Sequence, residues 1–230
     1  TLTDFAKLED NWNAIYDADP DAQLFMSWKW LSGWLTQISS PWFVLAAKAD
    51  NKADGSYLAF LPVRIQTKIE NGRILNELNM AGNFTADYTG FLCAPGAEYL
   101  AIPAFARHLK QLNWSRLNFE NFRISEPRMR LFLAHFPKAT FQTSETSRIG
   151  KTDGIDNGLC PFAVLPPTWD SYLDGLSTNT RQKIRRLLRL VDASDEYRIT
   201  TATPETIERD LNALLQFWEV KWKPRKGDLV

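Results

Sequence analysis

Three consecutive segments of strand-forming residues constrain the fold of this chain more than any other feature. They read "WFVLAAKA" at 42–49, "SYLAFLPVRIQ" at 56–66 and "RILNELNM" at 73–80. Apolar runs of this length, bounded by turn-forming residues, favour β-strands. A further short apolar segment, "DYTGFLC" at 87–93, predicts a fourth strand. We therefore expect a sheet whose first strands follow one another closely along the chain.

Helices are predicted on both sides of these strands. One covers 2–20 and ends at Asp19-Pro20, and its apolar residues recur at three- and four-residue spacing: Phe5, Leu8, Trp12 and Ile15. A second covers 28–38, where Ser27 is suited to cap the N-terminus. Its apolar face consists of Trp30, Leu31, Trp34, Leu35 and Ile38. Two more helices are predicted, one from around Pro103 within 94–112 and one at 126–136.

The other segments up to residue 165 alternate between strands and a loop. Strands are predicted at 115–122, 139–149 and 159–165, and "PP" ends the last of them; 152–158 is predicted to be a loop. With 44% hydrophobic residues, the chain can bury a substantial core. This order of elements predicts that residues 1–165 form one α/β lobe. We expect a mixed sheet with helices on its faces, that is, an α+β arrangement.

Residues 166–230 predict a second, smaller unit. Thr168 and Ser177 are suited to cap a short helix and a basic helix, a strand is predicted at 196–202, and Thr203 is suited to cap a last helix. Both longer helices have an apolar side, formed by Ile184, Leu187, Leu188 and Val191 in one and by Ile207, Leu211, Leu214, Trp218 and Trp222 in the other. Since such a unit cannot bury its own apolar faces, we expect 166–230 to be the beginning of a larger lobe.

The basic helix is a local concentration of charge in a neutral chain. Lys plus Arg number 27, as do Asp plus Glu, and no acidic residue lies among its cations, Arg181, Lys183, Arg185, Arg186 and Arg189. A neutral chain has no long-range field that would attract DNA, so any anion must be bound by a patch such as this one. The cations either keep a surface helix solvated or bind an anion: a phosphate or another anionic group of a ligand, or carboxylates of the first lobe.

Several chemistries are disfavoured by what the chain lacks. It contains no G-x-S-x-G, Walker, HExxH or CxxC motif, which argues against serine hydrolases, P-loop NTPases and the common zinc enzymes. Cys93 and Cys160 have apolar neighbours and are interpreted as two buried free thiols, and His108 and His135 as ordinary helix residues. No apolar run approaches the 18 residues of a membrane span, so a cytoplasmic protein is expected.

Four segments together resemble a known family: "MSWKWLSGWL", "LAFLPV", "AGNFTADYTGFL" and "LPPTWDSYLDGLSTNTRQKIRRLLRL". In order and spacing they are similar to the CelD-like, or BioF-type, branch of the GNAT acyltransferase superfamily. The last segment is the most specific, because it joins an aromatic-led short helix to an Arg-rich helix. Members of this group resemble the FemABX aminoacyl transferases in having two GNAT-like lobes, of which the second binds the acyl donor. The resemblance implies a degenerate first lobe at 1–165 and the start of the second at 166–230.

The implied activity is transfer of an acyl group from acyl-CoA, as cosubstrate, to an amine on a sugar or polysaccharide precursor. Such a reaction needs no metal and no bound cofactor. A GNAT lobe holds the donor pyrophosphate with a loop of the pattern [RQ]-x-x-G-x-[GA] before a helix, and this pattern does not occur here. The nearest segment, "CAPGAEY", has one glycine. The corresponding loop of the second lobe is expected beyond residue 230.

The candidate site residues follow from this interpretation. Asp87 could hold or deprotonate the amine and Tyr88 could protonate the departing thiolate, although the same residues could instead cap a loop and pack. Trp28 could line a sugar or acyl pocket, or pack as part of a helix face. The candidates for binding substrate phosphates are Arg181, Arg185, Arg186 and Arg189. Two other functions remain open, an aminoacyl-tRNA-dependent transferase of the Fem type and a non-catalytic module that binds an anionic ligand.

Overall fold

The computed structural model describes two compact units. It covers residues 1–50, 55–83, 85–144, 149–150, 154–156, 159, 161–196 and 198–226, with the backbone alone for 224–226. The units are Thr1–Leu159 and Cys160–Val230. The division therefore lies a few residues before the boundary at 165 that the sequence predicted.

The N-terminal segment forms two helices where one was predicted. They are α1 (Leu2–Ala6) and α2 (Glu9–Ala18). The buried ring of Phe5 stacks on Trp28, with ring centroids 4.2 Å apart, and lies edge-on to Trp12 at 5.5 Å. These tertiary contacts override the local preference for one continuous helix. Next comes α3 (Trp28–Gln37), where the Ser27 hydroxyl accepts a hydrogen bond from the Trp30 N–H at 3.4 Å, as predicted.

The described strands form one mixed sheet, which confirms the predicted α+β class. Its members are β1 (Trp42–Lys48), β2 (Tyr57–Glu70), β3 (Arg73–Met80), β4 (Leu92–Cys93) and β5 (Arg116–Asn118). The pairs β1/β2, β2/β3 and β2/β4 are antiparallel, and β5 runs parallel to β3. The three predicted strands at 42–49, 56–66 and 73–80 are thus consecutive antiparallel neighbours.

An excursion at 81–91 interrupts one edge of the sheet. Since β1 occupies one edge of β2 from Tyr57 to Arg64, β4 must pair with the other edge, where β3 pairs from residue 63 onward. Instead of extending β4, as the predicted strand at 87–93 required, Thr89 pairs with Phe122 in an isolated parallel bridge. The Thr89 N–H donates to the Asn121 carbonyl and the Arg123 N–H to the Thr89 carbonyl, both at 2.8 Å.

Each face of the sheet has its own hydrophobic core, because β2 side chains alternate between the faces. One core joins Leu61, Val63 and Leu78 to α4 (Glu98–Leu109) and α5 (Glu126–Leu133). The other joins Phe60 and Leu92 to the N-terminal helices. Burying a side chain of this size contributes about 1.5–3 kcal/mol, so the helices are held firmly against both faces.

Helix α4 begins earlier than predicted, at Glu98 rather than near Pro103. The proline lies inside the helix, where it removes one backbone donor. Ala101 and Ile102 are buried on the same side as Phe105, so packing against the sheet extends the helix toward its N-terminus.

Three predicted strands are absent from the described residues. No strand forms at 139–144: the chain turns at 138–140, where the Phe141 N–H donates to the Pro137 carbonyl at 3.0 Å. At 161–165 Pro161 supplies no N–H for a ladder, and Phe162 and Val164 are exposed. At 196–202 the described residues form no strand either. The predicted loop at 152–158 lies largely outside the described residues.

The second unit consists of α6 (Trp169–Asp174), α7 (Thr178–Asp192) and α8 (Ile207–Lys226). The predicted caps Thr168 and Ser177 are confirmed, since their hydroxyls accept from the backbone N–H groups of Ser171 and Thr180. The Thr203 hydroxyl instead donates to a Glu205 carboxylate oxygen at 2.6 Å, and the Thr203 carbonyl accepts from the Ile207 N–H at the start of α8. The apolar residues of α7 and α8 are largely exposed, including Leu187, Leu190, Leu214, Phe217 and Val220.

Candidate functional site

Of the predicted pair Asp87 and Tyr88, the tyrosine lines a cavity in the first unit and the aspartate does not. The cavity has a volume of about 600 Å³ and is lined by Pro20, Asp21, Ala22, Gln23, Leu24, Phe25, Tyr88, Arg123, Ile124 and Ser125. Tyr88 lines this cavity and is half-buried, whereas Asp87 is exposed and is not one of the lining residues. We call it the Arg123 cavity.

Hydrogen bonds between distant segments hold the walls of the Arg123 cavity together. The Ser125 N–H donates to Asp21 Oδ2 at 2.8 Å, and Gln23 Nε2 donates to the Arg123 carbonyl at 3.3 Å. These bonds join the connection after α2 to the segment after β5. The cavity is therefore formed by the fold itself.

The Arg123 guanidinium carbon lies 4.9 Å from the centroid of the Tyr88 ring. This distance is within the range of a cation–π interaction. The Arg123 side chain is also exposed, so it places a positive charge at a partly apolar cavity. Sequence reasoning missed Arg123, because only the pairing of Thr89 with residues 121–123 brings it to Tyr88.

Close to this cavity lies a buried cluster of charges around Arg128. One guanidinium nitrogen, Nη1, lies 2.7 Å from Asp19 Oδ1 and 3.4 Å from Asp21 Oδ2. The other, Nη2, lies 3.1 Å from Glu98 Oε1 and also donates to the Cys93 carbonyl at 3.1 Å. Asp19 in turn accepts from the Cys93 N–H at 2.8 Å. The cluster ties the end of α2, the end of β4 and the starts of α4 and α5 together.

The pKa values show that this cluster favours its charged state. Burial would lower the pKa of Arg128, but the hydrogen bonds with Asp19 and Glu98 outweigh burial and raise the pKa. Burial would likewise raise the pKa of Glu98, but hydrogen bonds from its own backbone N–H, from Arg128 and from the Gly96 backbone lower the pKa.

The charge on Glu98 bears on the segment "CAPGAEY", which precedes α4. Helix N-termini bind anions because their first N–H groups have no partner within the helix. At α4 this position is already occupied by the carboxylate of Glu98, which the local backbone N–H groups stabilise. A phosphate at the same position would be repelled, so this loop is a poor pyrophosphate site.

In the basic helix α7, four of the five predicted cations are exposed as candidates for binding an anion, whereas Arg181 has an acidic partner. Arg181 forms an ion pair, since its Nη1 lies 2.9 Å from Asp174 Oδ1 on α6. The remaining four cations, Lys183, Arg185, Arg186 and Arg189, are exposed. Within the part of the chain that the structure describes, no carboxylate forms an ion pair with them. They are available for an external anion.

Trp28 packs in the core beneath the N-terminal helices. It stacks on Phe5 and lies 5.9 Å from Trp12 in an edge-on arrangement. Neither Trp28 nor the neighbouring Trp30 lines the Arg123 cavity. This geometry favours the packing interpretation of Trp28 over a role in a sugar or acyl pocket.

No family emerges from comparison with known proteins. Searches of protein-family models, curated proteins and solved structures find no match to this chain. Function must therefore be argued from the residues themselves.

Other reactive side chains add little to the site. Burial raises the pKa of the Cys93 thiol to about 12, and this cysteine is free, as predicted. Cys160 lies outside the described residues. Among those that are described, no group of His, Cys, Asp and Glu side chains could hold a metal ion, and no helix has both the length and the apolar character to cross a membrane.

Proposed function

We propose that this protein is a GNAT-type N-acyltransferase that transfers an acyl group from acyl-CoA to an amine on a sugar or polysaccharide precursor. The observation that carries the proposal is the set of four exposed cations on α7 that have no carboxylate partner among the described residues. CoA carries a pyrophosphate and a further phosphate, and Arg side chains suit phosphate because they donate two parallel hydrogen bonds.

The first unit supports the same proposal in two ways. Its mixed sheet with helices on both faces fits a GNAT-like lobe, although a fold alone does not fix a substrate. The segment of the first unit nearest to a pyrophosphate-binding loop in pattern, "CAPGAEY", has Glu98 where an anion would bind. A first lobe that does not bind the donor is what the family resemblance implies.

In the proposed reaction the amine nitrogen attacks the thioester carbon directly. A C–N bond forms, the C–S bond breaks, the amine loses a proton and the thiolate leaving group gains one. Asp87 and Tyr88 remain the proposed base and acid, and acyl-CoA is the only cosubstrate that the reaction requires. Orientation of the two substrates supplies much of the rate acceleration. Because acyl-CoA is used inside cells, we propose a cytoplasmic site of action.

The test compares two variants of the full natural protein, each with three cations replaced by glutamine. One carries R185Q, R186Q and R189Q on α7; the control carries R107Q, K110Q and K138Q, which are exposed positions of the first unit. Acetyl-CoA binding is followed by Trp fluorescence, and transfer to glucosamine by release of the free CoA thiol. We expect the α7 variant alone to lose affinity by about tenfold or more, since hydrogen bonds to charged groups are strong.

S-acetylpantetheine, which lacks the phosphates, should bind both variants equally. Equal acetyl-CoA affinities of the two variants would contradict the role of α7. Failure of the unmodified protein to bind acetyl-CoA would refute the acyl-CoA donor itself and favour an aminoacyl-tRNA donor or a non-catalytic function.

A further inference from the structure

We propose that Asn71, in the turn between β2 and β3, is a site of non-enzymatic deamidation. Its side-chain amide is converted through a cyclic imide into aspartate and isoaspartate, with water as the co-reactant. The reaction does not depend on acyl transfer, because it takes place within this turn and uses neither acyl-CoA nor the cations of α7.

The turn leaves the nucleophile of this reaction, the backbone nitrogen of Gly72, accessible. The last pair of the β2–β3 ladder is Glu70 with Arg73, so the N–H of Gly72 lies outside the ladder. Gly72 has no side chain, and a Cβ added to it would meet nothing within 4 Å. Both the closing ring and the attacking water therefore have room.

The electrophile, the side-chain amide carbon of Asn71, is accessible as well. Asn71 is exposed, and among the described residues its amide forms no hydrogen bond. An amide held by hydrogen bonds would have to break them before its carbon could turn toward the Gly72 nitrogen. At Asn71 this cost is absent.

The reaction exchanges one C–N bond for another before water reopens the ring. The Gly72 nitrogen loses its proton to hydroxide and attacks Cγ of Asn71, which closes the cyclic imide. The bond from Cγ to the side-chain nitrogen breaks, and that nitrogen takes a proton from water and leaves as ammonia. Water then adds to one of the two ring carbonyls. Opening between Cγ and the Gly72 nitrogen gives aspartate, and opening between the main-chain carbonyl carbon and that nitrogen gives isoaspartate.

Two other asparagines show that exposure or backbone conformation alone is not sufficient. Asn121 has a similar φ of 54°, but its Nδ2 donates to the Ala86 carbonyl at 3.0 Å, and the bulky Phe122 follows it. Asn13 is exposed and precedes a small residue, but it lies within α2, where backbone N–H groups are bonded along the helix. Asn71 combines an exposed amide, a following glycine and a nitrogen outside the ladder.

Either product changes the turn. Aspartate adds a negative charge to a chain whose formal net charge is zero. Isoaspartate lengthens the main chain within the turn, and the length of the turn fixes the register of a hairpin. The exposed residues Ile69 and Ile74, which lie opposite each other beside the turn, should therefore lose their alignment.

The experiment incubates the full natural protein in mildly alkaline buffer without acyl-CoA, digests it with trypsin and follows the peptides by mass spectrometry. Trypsin releases 69–73, whose only asparagine is Asn71, and 117–123, which contains Asn121. The Asn-Gly dipeptide at 157–158 lies outside the described residues and falls in a separate peptide. We expect the mass increase of an NH2-to-OH exchange in 69–73 several-fold faster than in 117–123, as two separable products of equal mass.

Two alanine substitutions at open glycines with positive φ test the nucleophile. G72A adds a methyl group beside the attacking nitrogen and should slow the reaction in 69–73 several-fold. G96A is the matched control, because this glycine has a φ of 83° and an added Cβ would also meet nothing within 4 Å. It should leave the rate unchanged. A variant that unfolds would deamidate in 117–123 as well, so this peptide shows in each digest whether the fold is retained.

Three results would overturn the proposal. The first is modification of 117–123 as fast as that of 69–73 in the parent protein. The second is an unchanged rate in a folded G72A variant. The third is aspartate without isoaspartate, which would indicate direct hydrolysis of the amide. Since no acyl donor is present, none of these results bears on the proposed acyl transfer.

Discussion

At the scale of single residues, Arg128 has more structural consequences than any candidate from the sequence. Its side chain is 4% exposed and contacts three carboxylates from two segments of the first unit, the connection after α2 and the start of α4. In the sequence it is one of two arginines in "EPRMRLFL", and nothing local distinguishes it from Arg130. In the structure, Arg130 is exposed, and its ion pair among the described residues is with Glu126 one turn away.

Replacing Arg128 should be far more damaging than replacing Arg130. In R128M the buried Asp19 carboxylate loses its cationic partner, and breaking a buried ion pair in this way costs about 3–5 kcal/mol. In R130M an exposed pair is lost, which is worth about 0.5 kcal/mol. Urea unfolding of both variants gives the free energies of unfolding, and equal losses would show that the Arg128 cluster does not stabilise the fold.

Glu98 should make the stability of the first unit depend on acid pH. Its pKa is lowered in the folded state, so its contribution is present above the ordinary glutamate pKa of 4.5 and is lost as the pH falls through the lower folded value. E98Q, which cannot ionise, should be less stable than the parent at pH 7 and should approach it as the pH falls below 4.5. Unfolding curves between pH 3 and pH 7 measure this difference; a gap that does not narrow in acid would contradict the role of the charge.

At the scale of elements, the β2–β3 hairpin is longer than the sequence predicted. Strand β2 continues to Glu70, four residues past the predicted end at 66. Asn71 and Gly72 then form the turn with φ values of 51° and 74°. Both angles lie in the left-handed region, which suits a two-residue hairpin turn, and the Asn-Gly dipeptide is the usual signal for it. The exposed pair Ile69 and Ile74 flanks this turn.

Two glycine-to-alanine substitutions should have opposite effects. G72A places a side chain at φ 74°, which costs about 1–2 kcal/mol. G33A lies in α3, where an added Cβ would meet nothing within 4 Å, so it should stabilise the protein by about 0.5–1 kcal/mol. Thermal unfolding of the two variants against the parent measures both signs. Stabilisation by G72A would show that the turn differs from the one described.

At the scale of the whole molecule, the chain divides into two units of different character. The first unit buries two hydrophobic cores on the faces of its sheet. In the second unit, by contrast, no residue of α7 is buried. The segment 161–165, at the start of the second unit, is exposed and forms neither helix nor strand.

Limited proteolysis should therefore begin in this segment. Proteases require an extended, accessible backbone, and chymotrypsin can cut after Phe162, which is 75% exposed. Mass spectrometry of the first products should identify a fragment ending at residue 162, and F162A should slow its appearance. First cuts within β2 or β3 would contradict the described core of the first unit.

The sequence alone determined the features that depend on near neighbours along the chain. The strands at 42–49, 56–66 and 73–80, the helix after Ser27 and the caps at Thr168 and Ser177 were predicted because periodicity and capping act over a few residues. The mixed α+β class followed from the order of these elements.

Only the tertiary structure decided the features that depend on distant partners. Arg128 meets Asp19 across 109 residues, and Ser125 meets Asp21 across 104, so neither the buried cluster nor the Arg123 cavity has a local pattern. For the same reason the predicted strand at 87–93 was wrong over most of its length, since Thr89 pairs with the segment after β5. Long-range hydrogen bonds and ion pairs selected these contacts, and their free energies depend on the assembled sheet rather than on local sequence.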